Sequence, residues 1–410
     1  MQAKDFDILL YGASGFTGRQ ALNYLASNVL RPENKWAIAG RNLEKLKALV
    51  EKLPENVASP ECLVAKASDR PAIEKMVSRT KLVLTTAGPF ALYSAELAKA
   101  CARQGVDYLD ITGETPFVRE LIDEEHANAQ SSGAKMVPLC GFDSVPSDLG
   151  TLFTVRHLQE EYDEDCKELK LFFTLKGGLN GGTMASALDM MSKKQNIQLL
   201  NPTLLNPANH RQKEDAKHIV DLYRPYFDKR LQRWAAPFFM AHINSRVVGR
   251  SVALFKDLEA PYGAEFSYQE AMRMGKALGK VQAYGVTSAI AAMQLIGKHQ
   301  SGRTLIDLCT PKPRSGPSTA VRESGFFRAD IFACGSRNTK VQARVSAKGD
   351  PGNKVTITIL CEAARCLLFK RDELPGGNAR TGILTPATAF GHVLQERLEK
   401  VGMSFEIEKV

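Results

Sequence analysis

Near its start the chain carries an apolar run, Ile8-Leu9-Leu10-Tyr11, that passes directly into Gly12-Ala13-Ser14-Gly15-Phe16-Thr17-Gly18. Glycines at this G-x-x-G-x-x-G spacing, between a strand and a helix, constrain the fold more than any other feature. They permit tight backbone dihedrals and let a ligand approach the main chain closely. The segment 19–28 continues as a helix, whose first N–H groups and dipole favour a pyrophosphate. A second apolar strand, Trp36–Gly40, ends in Arg41. In a nucleotide-binding βαβ unit the residue after the second strand meets the adenosine ribose. An acid there binds a free 2′-hydroxyl, whereas Arg accommodates a 2′-phosphate. Arg41, with Asn42 and Lys45 beside it, favours NADP over NAD. A tight turn that binds nothing is the alternative, and this context weighs against it.

The first 150 residues alternate strand and helix. Strands are expected at Phe6–Tyr11, Trp36–Gly40, 61–65, 82–86, Asp107–Asp110 and 135–139, with helices at 94–103 and 118–131 between the later ones. Alternation of this kind specifies a Rossmann-type, doubly wound parallel sheet, whose ligands bind at the carboxyl ends of the strands. The loops 12–18, 41–45, 68–69, 87–93, 111–114 and 140–148 should then converge on one crevice. The cofactor-binding candidates are Gly12, Ser14, Gly15, Phe16 and Thr17 at the pyrophosphate and Arg41 and Asn42 at the ribose. Ser68 and Asp69 are placed near the adenine, and Gly88, Pro89 and Phe90 on the nicotinamide side. Gly18 is assigned to close packing of helix on sheet.

The pattern changes after Gly150. A charged helix at 151–161 leads to a strand at 168–175 with period-two alternation, the mark of a sheet with one exposed face. A second glycine-rich loop, 176–183, enters a helix at 184–194, and an irregular stretch follows to about residue 230. Strands are expected at 246–255, 263–268, 326–333, 339–347 and 354–362, giving an α+β domain on a mostly antiparallel sheet. Thr385-Pro386 starts a helix at 387–401, with Pro at the first helical position, before a short end strand. The organisation expected is an NADP-binding domain at 1–150, a substrate and oligomerisation domain at 151–375, and a segment at 376–410 that returns to the first domain.

With 410 residues, 44% hydrophobic and 24% charged, the chain has room for two or three domains and no signature of disorder. No basic region followed by an apolar stretch stands at the N-terminus, so no signal peptide is expected and the cytoplasm is the default. The longest uncharged run, 281–297, contains Gln282, Tyr284, Thr287, Ser288 and Gln294. It is too short and polar for a membrane span of ~20 apolar residues and reads as a buried core helix, with membrane-surface association left open. Eight cysteines form no C-x-x-C pair and no histidines stand at zinc-ligand spacing, so reduced thiols and no metal are expected. Of the +9 net charge, +6 falls between His210 and Lys256, where ten Lys or Arg face four Asp or Glu. Without a nucleic-acid-binding motif this excludes DNA and RNA as partners. It leaves either a solvated face or a basic entrance for an anionic, CoA-like or carrier-linked group.

Taken together, the motifs resemble the saccharopine dehydrogenase-like oxidoreductases, and within them the trans-acting enoyl reductases. The likeness rests on the opening turn, Ala39-Gly40-Arg41, Thr86-Ala87-Gly88-Pro89-Phe90, Tyr108-Leu109-Asp110-Ile111-Thr112-Gly113-Glu114 and Cys140-Gly141-Phe142-Asp143-Ser144-Val145-Pro146-Ser147-Asp148. It continues in Gly181-Gly182-Thr183, Pro237-Phe238-Phe239-Met240-Ala241, Gly316-Pro317-Ser318 and Thr385-Pro386-Ala387. Ser94 stands where the family usually has Gly, beside the nicotinamide pocket. The resemblance implies an NADPH-dependent reductase of a C=C bond in an unsaturated acyl, polyketide-like or other hydrophobic intermediate, carried by a partner synthase acting with it in trans. Two alternatives stay open: an imine or saccharopine-type C–N oxidoreductase, and an NADP-binding sensor without turnover. A homo-oligomer is compatible with all three.

Hydride chemistry belongs to the cofactor, and the chain must orient the substrate and supply a proton. The catalytic candidates are Tyr93, in the loop after the fourth strand, and Asp143, for which capping the next helix through its side chain is the plain alternative. No tyrosine is followed four residues later by Lys, so a Tyr/Lys pair is absent. His126 reads as a helix-surface residue. The apolar stretch 234–241, Phe239 included, is a candidate wall for the substrate.

Overall fold

The computed structural model describes residues 4–408 other than 56, 179, 193–194 and 312–314. The predicted ends at 1–3 and 409–410, Leu179 of the second glycine-rich loop, and the last two residues of the helix expected at 184–194 lie outside the described residues. Six strands of the N-terminal part, β1 (Phe6–Tyr11), β2 (Trp36–Gly40), β3 (Glu61–Val64), β4 (Thr80–Thr85), β5 (Asp107–Asp110) and β6 (Lys135–Val137), run parallel in the order β6-β5-β4-β1-β2-β3. Leu9 stands between Ala37 and Val83 in register. Ile8, Leu9 and Leu10 are all fully buried, as expected of a sheet covered by helices on both faces. The strand order reverses between β1 and β4. In such sheets the crevice opens at this switch point.

The second sheet contains β7 (Cys166–Lys176), β8 (Tyr226–Asp228), β9 (Arg233–Pro237), β10 (Ser267–Arg273), β11 (Phe326–Gly335) and β12 (Lys340–Lys348). The C-terminal strands divide between the two sheets: β13 (Gly382–Ile383) extends the first beside β6, and β14 (Met403–Glu408) pairs with β12 in the second. The order is β14-β12-β11-β7-β10-β9-β8, antiparallel at every junction except β7 with β10. A doubly wound parallel sheet and a mostly antiparallel one are therefore both present.

Three expectations fail. The β-branched stretches 246–255 and 354–362 are not strands. They lie in the helix Ala241–Asp257 and in the helical run Pro351–Val355 and Thr356–Phe369, because helical spacing puts their polar residues onto buried partners. Arg246 and Arg250, one turn apart and buried, donate to Asp221 and to the carbonyls of Leu205 and Ile383. Buried Glu362 accepts from Tyr24 and Arg397. Two of the surplus charges between His210 and Lys256 are thus interior and neither solvated nor at an entrance. The strand expected at 263–268 lies at Ser267–Arg273. Finally, the run 281–297 does form a helix, Gly279–Gly297, yet it is not core: Gly279, Ala283 and Gly297 are its buried residues. Among the described residues no helix is long and apolar enough to cross a membrane.

Candidate functional site

Gly12 has a φ of +85°, and a Cβ there would meet the Ala87 backbone at 3.0 Å. Only glycine lets the end of β1 lie this close to the end of β4. At Gly18 a Cβ would fall 2.2 Å from the Gly12 carbonyl oxygen, so this glycine serves packing. At Gly15 a Cβ would meet only the Gly12 oxygen, at 3.3 Å, and otherwise project into open space. Gly15 is also the N-cap of the helix Phe16–Tyr24, with no side-chain cap and no acid in the first turn. An uncapped N-terminus beside a glycine whose missing Cβ leaves room is the cradle a pyrophosphate needs. Across it, Gly316 packs on the Phe16 ring so tightly that a Cβ would stand 2.4 Å away.

These elements open into a crevice of about 1280 Å³. Gly12, Ser14, Gly15, Phe16, Thr17, Arg41, Ser68, Gly88, Pro89, Phe90, Tyr93 and Asp143 all line it. Asn42 and Asp69 do not. Their side chains accept from Lys45 N at 2.9 Å and Ala72 N at 3.1 Å, capping the helices Leu43–Val50 and Arg70–Ser78. Arg41 is exposed, and its guanidinium has no ion pair among the described residues. Lys66 adds a second cation at this end. The pyrophosphate cradle and these cations fit a dinucleotide with a 2′-phosphate.

Glu114 was not among the sequence candidates. It is fully buried and accepts from Phe90 N at 2.8 Å, Ala91 N at 2.9 Å and Ser186 Oγ at 2.6 Å. One carboxylate thus holds the loop after β4 against the helix Gly181–Ser192. That helix starts at Asn180, whose Oδ1 accepts from Thr183 N and whose Nδ2 donates to Asn353. Its Met190 faces the crevice. The spacing of Glu114 from residue 90 carries no local signal, and only its place in a crevice loop could have suggested it. Ser94 points away from the site, bonded to Thr85 Oγ1 and the Ala87 carbonyl.

Asp143 is half-buried, and its carboxyl has no hydrogen bond among the described residues. Burial raises its pKa to about 6. It does not cap the next helix, whose N-cap is Ser144. Behind it, Glu270 accepts from Tyr268, Asn244 and Ser147, and burial raises it to about 7. Tyr93 lies at the mouth, 43% exposed. The apolar wall of the crevice includes Leu92 and Ile111, from the loops after β4 and β5, and Met190, Met240 and Ile243 from the second half, which also lines it with polar groups such as Thr183, Gln300 and Thr304. Phe239 is not part of it, being 47% exposed and turned outward, while Phe238 is buried on Phe173. Arg303 is the one Lys or Arg that the second half contributes to the described lining. His126 is half-buried rather than on the surface. Its Nδ1 accepts from Ile383 N, and burial lowers its pKa to about 4.

Residues 8–137 match the family described as the saccharopine dehydrogenase NADP-binding domain. A trans-acting enoyl reductase of Mycobacterium tuberculosis is 33% identical over 414 residues, covering 98% of this chain and 97% of its own length. That of Mycobacterium ulcerans is 32% identical over 420 residues, with the same coverage. Among solved structures, the apo saccharopine dehydrogenase (L-Glu forming) of Saccharomyces cerevisiae aligns over 98% of this chain and 100% of its own. Its TM-score is 0.52 at 13% identity, a likeness of fold.

Proposed function

The chain belongs to the saccharopine dehydrogenase-like oxidoreductases, beside the trans-acting enoyl reductases, and on that premise we propose that it reduces the C=C bond of a hydrophobic unsaturated acyl group. It is an NADPH-dependent oxidoreductase of the enoyl-reductase type. The observation that carries the substrate class is the apolar wall of Leu92, Ile111, Met190, Met240 and Ile243 with Arg303 as its single basic group. An amino-acid adduct with two or three carboxylates requires several converging Arg or Lys. An acyl chain requires what is present.

In this reading Gly12, Ser14, Gly15, Phe16 and Thr17 hold the pyrophosphate and Arg41 the 2′-phosphate, with Ser68 at the adenosine. Gly88, Pro89 and Phe90 line the nicotinamide side, kept in place by Glu114. Asn42 and Asp69 act through the helices they cap. When bound, the dinucleotide supplies the hydride for the β-carbon. The chain excludes water from the apolar wall and delivers a proton to the α-carbon. Asp143 is the donor in preference to Tyr93, because its carboxyl is sheltered, unbonded and raised to about 6, whereas the Tyr93 phenol stands at the mouth. We assign NADP binding to 1–150, with Leu92 and Ile111 contributing to the substrate wall, the rest of that wall and any oligomer contacts to 151–375, and to 376–410 a tail that returns to the first sheet through β13 and adds β14 to the second. The relatives' name, trans-acting enoyl reductase, supports a substrate presented by a separate synthase.

The test is NADPH consumption with α,β-unsaturated acyl thioesters of increasing chain length, against amino acid–oxoacid pairs. Turnover of long thioesters supports the reading. Turnover of the amino-acid pairs alone moves the protein to C–N chemistry, and NADPH binding without turnover of either class makes it a sensor.

A further inference from the structure

The helix Gly279–Gly297 and its successor Gln300–Cys309 present an apolar surface with no protein cover among the described residues. Val281 is 67% exposed, Leu295 61% and Leu308 68%, with Leu278, Ile296 and Leu305 also exposed. Single exposed leucines need no explanation, but a cluster of this kind does. Residues 291–296 are exposed at every position, up to the buried Gly297 on which the longer helix ends. The charge around it is predominantly positive, and the one acid of the pair, Asp307, lines the crevice. No Asp or Glu occurs from Ala271 to Ile306, while Lys276, Lys280, Lys298 and Arg303 do. None of these four forms an ion pair among the described residues.

We propose that this helical pair docks on an anionic lipid surface, with its leucines and isoleucine in the acyl boundary and its lysines at the headgroups. Aliphatic side chains beside lysines that can snorkel, and a Tyr284 at the edge, make the pattern of an interfacial helix. A second copy of the chain would set one basic rim against another. A protein partner fits less well: protein interfaces are depleted in Lys and anchored by aromatic residues and Arg, whereas this surface is Leu, Val and Ile with Lys. The position is purposeful. Gln300, Arg303 and Thr304 of the shorter helix line the crevice, so the docked face borders the mouth through which a hydrophobic substrate must pass. Docking does not depend on which substrate the crevice takes.

Co-sedimentation of the full-length protein with phosphatidylcholine vesicles, with and without phosphatidylglycerol, tests this. Binding should require phosphatidylglycerol and weaken as salt rises. Lys280→Gln and Lys298→Gln should each weaken it roughly fivefold. The double variant Leu295→Glu, Leu308→Glu should abolish it while the melting temperature and NADPH affinity stay unchanged, since both side chains project outward. Failure of the folded wild type to bind phosphatidylglycerol vesicles overturns the proposal. So does a dimer that the same double variant dissociates, or capture by an acidic acyl-carrier domain with the vesicles left free.

Discussion

Arg41 and Asp143 mark the two ends of the crevice, and each makes a claim about one functional group. A charge-assisted contact between guanidinium and phosphate is worth roughly 1.5–3 kcal/mol. Arg41→Ala should therefore raise the dissociation constant of NADPH about ten- to a hundredfold and leave that of NADH nearly unchanged, as fluorescence titration would show. Equal losses would mean that Arg41 does not read the 2′-phosphate. For Asp143, the proposed donor is the protonated form. With a pKa of about 6, that form is lost as pH rises, so kcat should fall above about pH 6. Asp143→Asn should lower kcat roughly 10²-fold or more and remove that limb of the profile. An unchanged profile would pass the donor's role to Tyr93 or to water.

The opening turn shows how one element divides its work among similar residues. Gly15 and Gly18 belong to one motif, yet a Cβ at the first projects into the crevice and at the second strikes the Gly12 carbonyl at 2.2 Å. Gly15→Val should abolish NADPH binding in a protein whose melting temperature is close to wild type. Gly18→Val should lower the melting temperature by forcing the helix Phe16–Tyr24 off the sheet. If both variants behaved alike, the division between ligand approach and packing would be wrong. The helix caps at Asn42 and Asp69, worth about 1 kcal/mol each, show the same point in reverse. Residues placed in the crevice by their position after a strand use their side chains on the next helix.

Across the molecule, buried carboxyls join parts that are remote in sequence. Asp148, on the helix Val145–Tyr162, accepts from Ser251 Oγ at 2.6 Å and Ala387 N at 2.7 Å, drawing three helices together. Burial raises its pKa from 3.8 to about 7, and that of Glu270 from 4.5 to about 7. Because the folded state binds these protons more tightly than the unfolded chain, their contribution to stability is full below about pH 4. It is lost progressively as pH rises to about 7. His126 acts in the opposite sense: lowered from 6.5 to about 4, it costs stability as pH falls through that window. Asp148→Asn keeps an acceptor for Ala387 N and has no charge to bury. Denaturant unfolding across pH 4–8 should therefore show a smaller loss of stability toward alkaline pH than in wild type. An unaltered slope would mean that Asp148 does not titrate in this range.

The sequence by itself determined six strands of the first sheet and the place of the crevice at their ends, because those rest on short-range rules, while the family was legible as a resemblance of motifs along the whole chain. Strand period, helix period and a glycine turn are properties of neighbouring residues, and Gly12–Gly18 followed by Arg41 after the second strand needed nothing further. What only the tertiary structure decided is whatever depends on partners far along the chain. Residues 246–255 and 354–362 have the β-branched composition of strands. They are helices because Arg246, Arg250 and Glu362 find buried partners only at helical spacing. Glu114 became a site residue through Ser186, 72 positions away. The run 281–297 reads as core from its hydrophobicity, yet it lies bare, because burial depends on what the rest of the chain brings to a surface, and no residue encodes that alone.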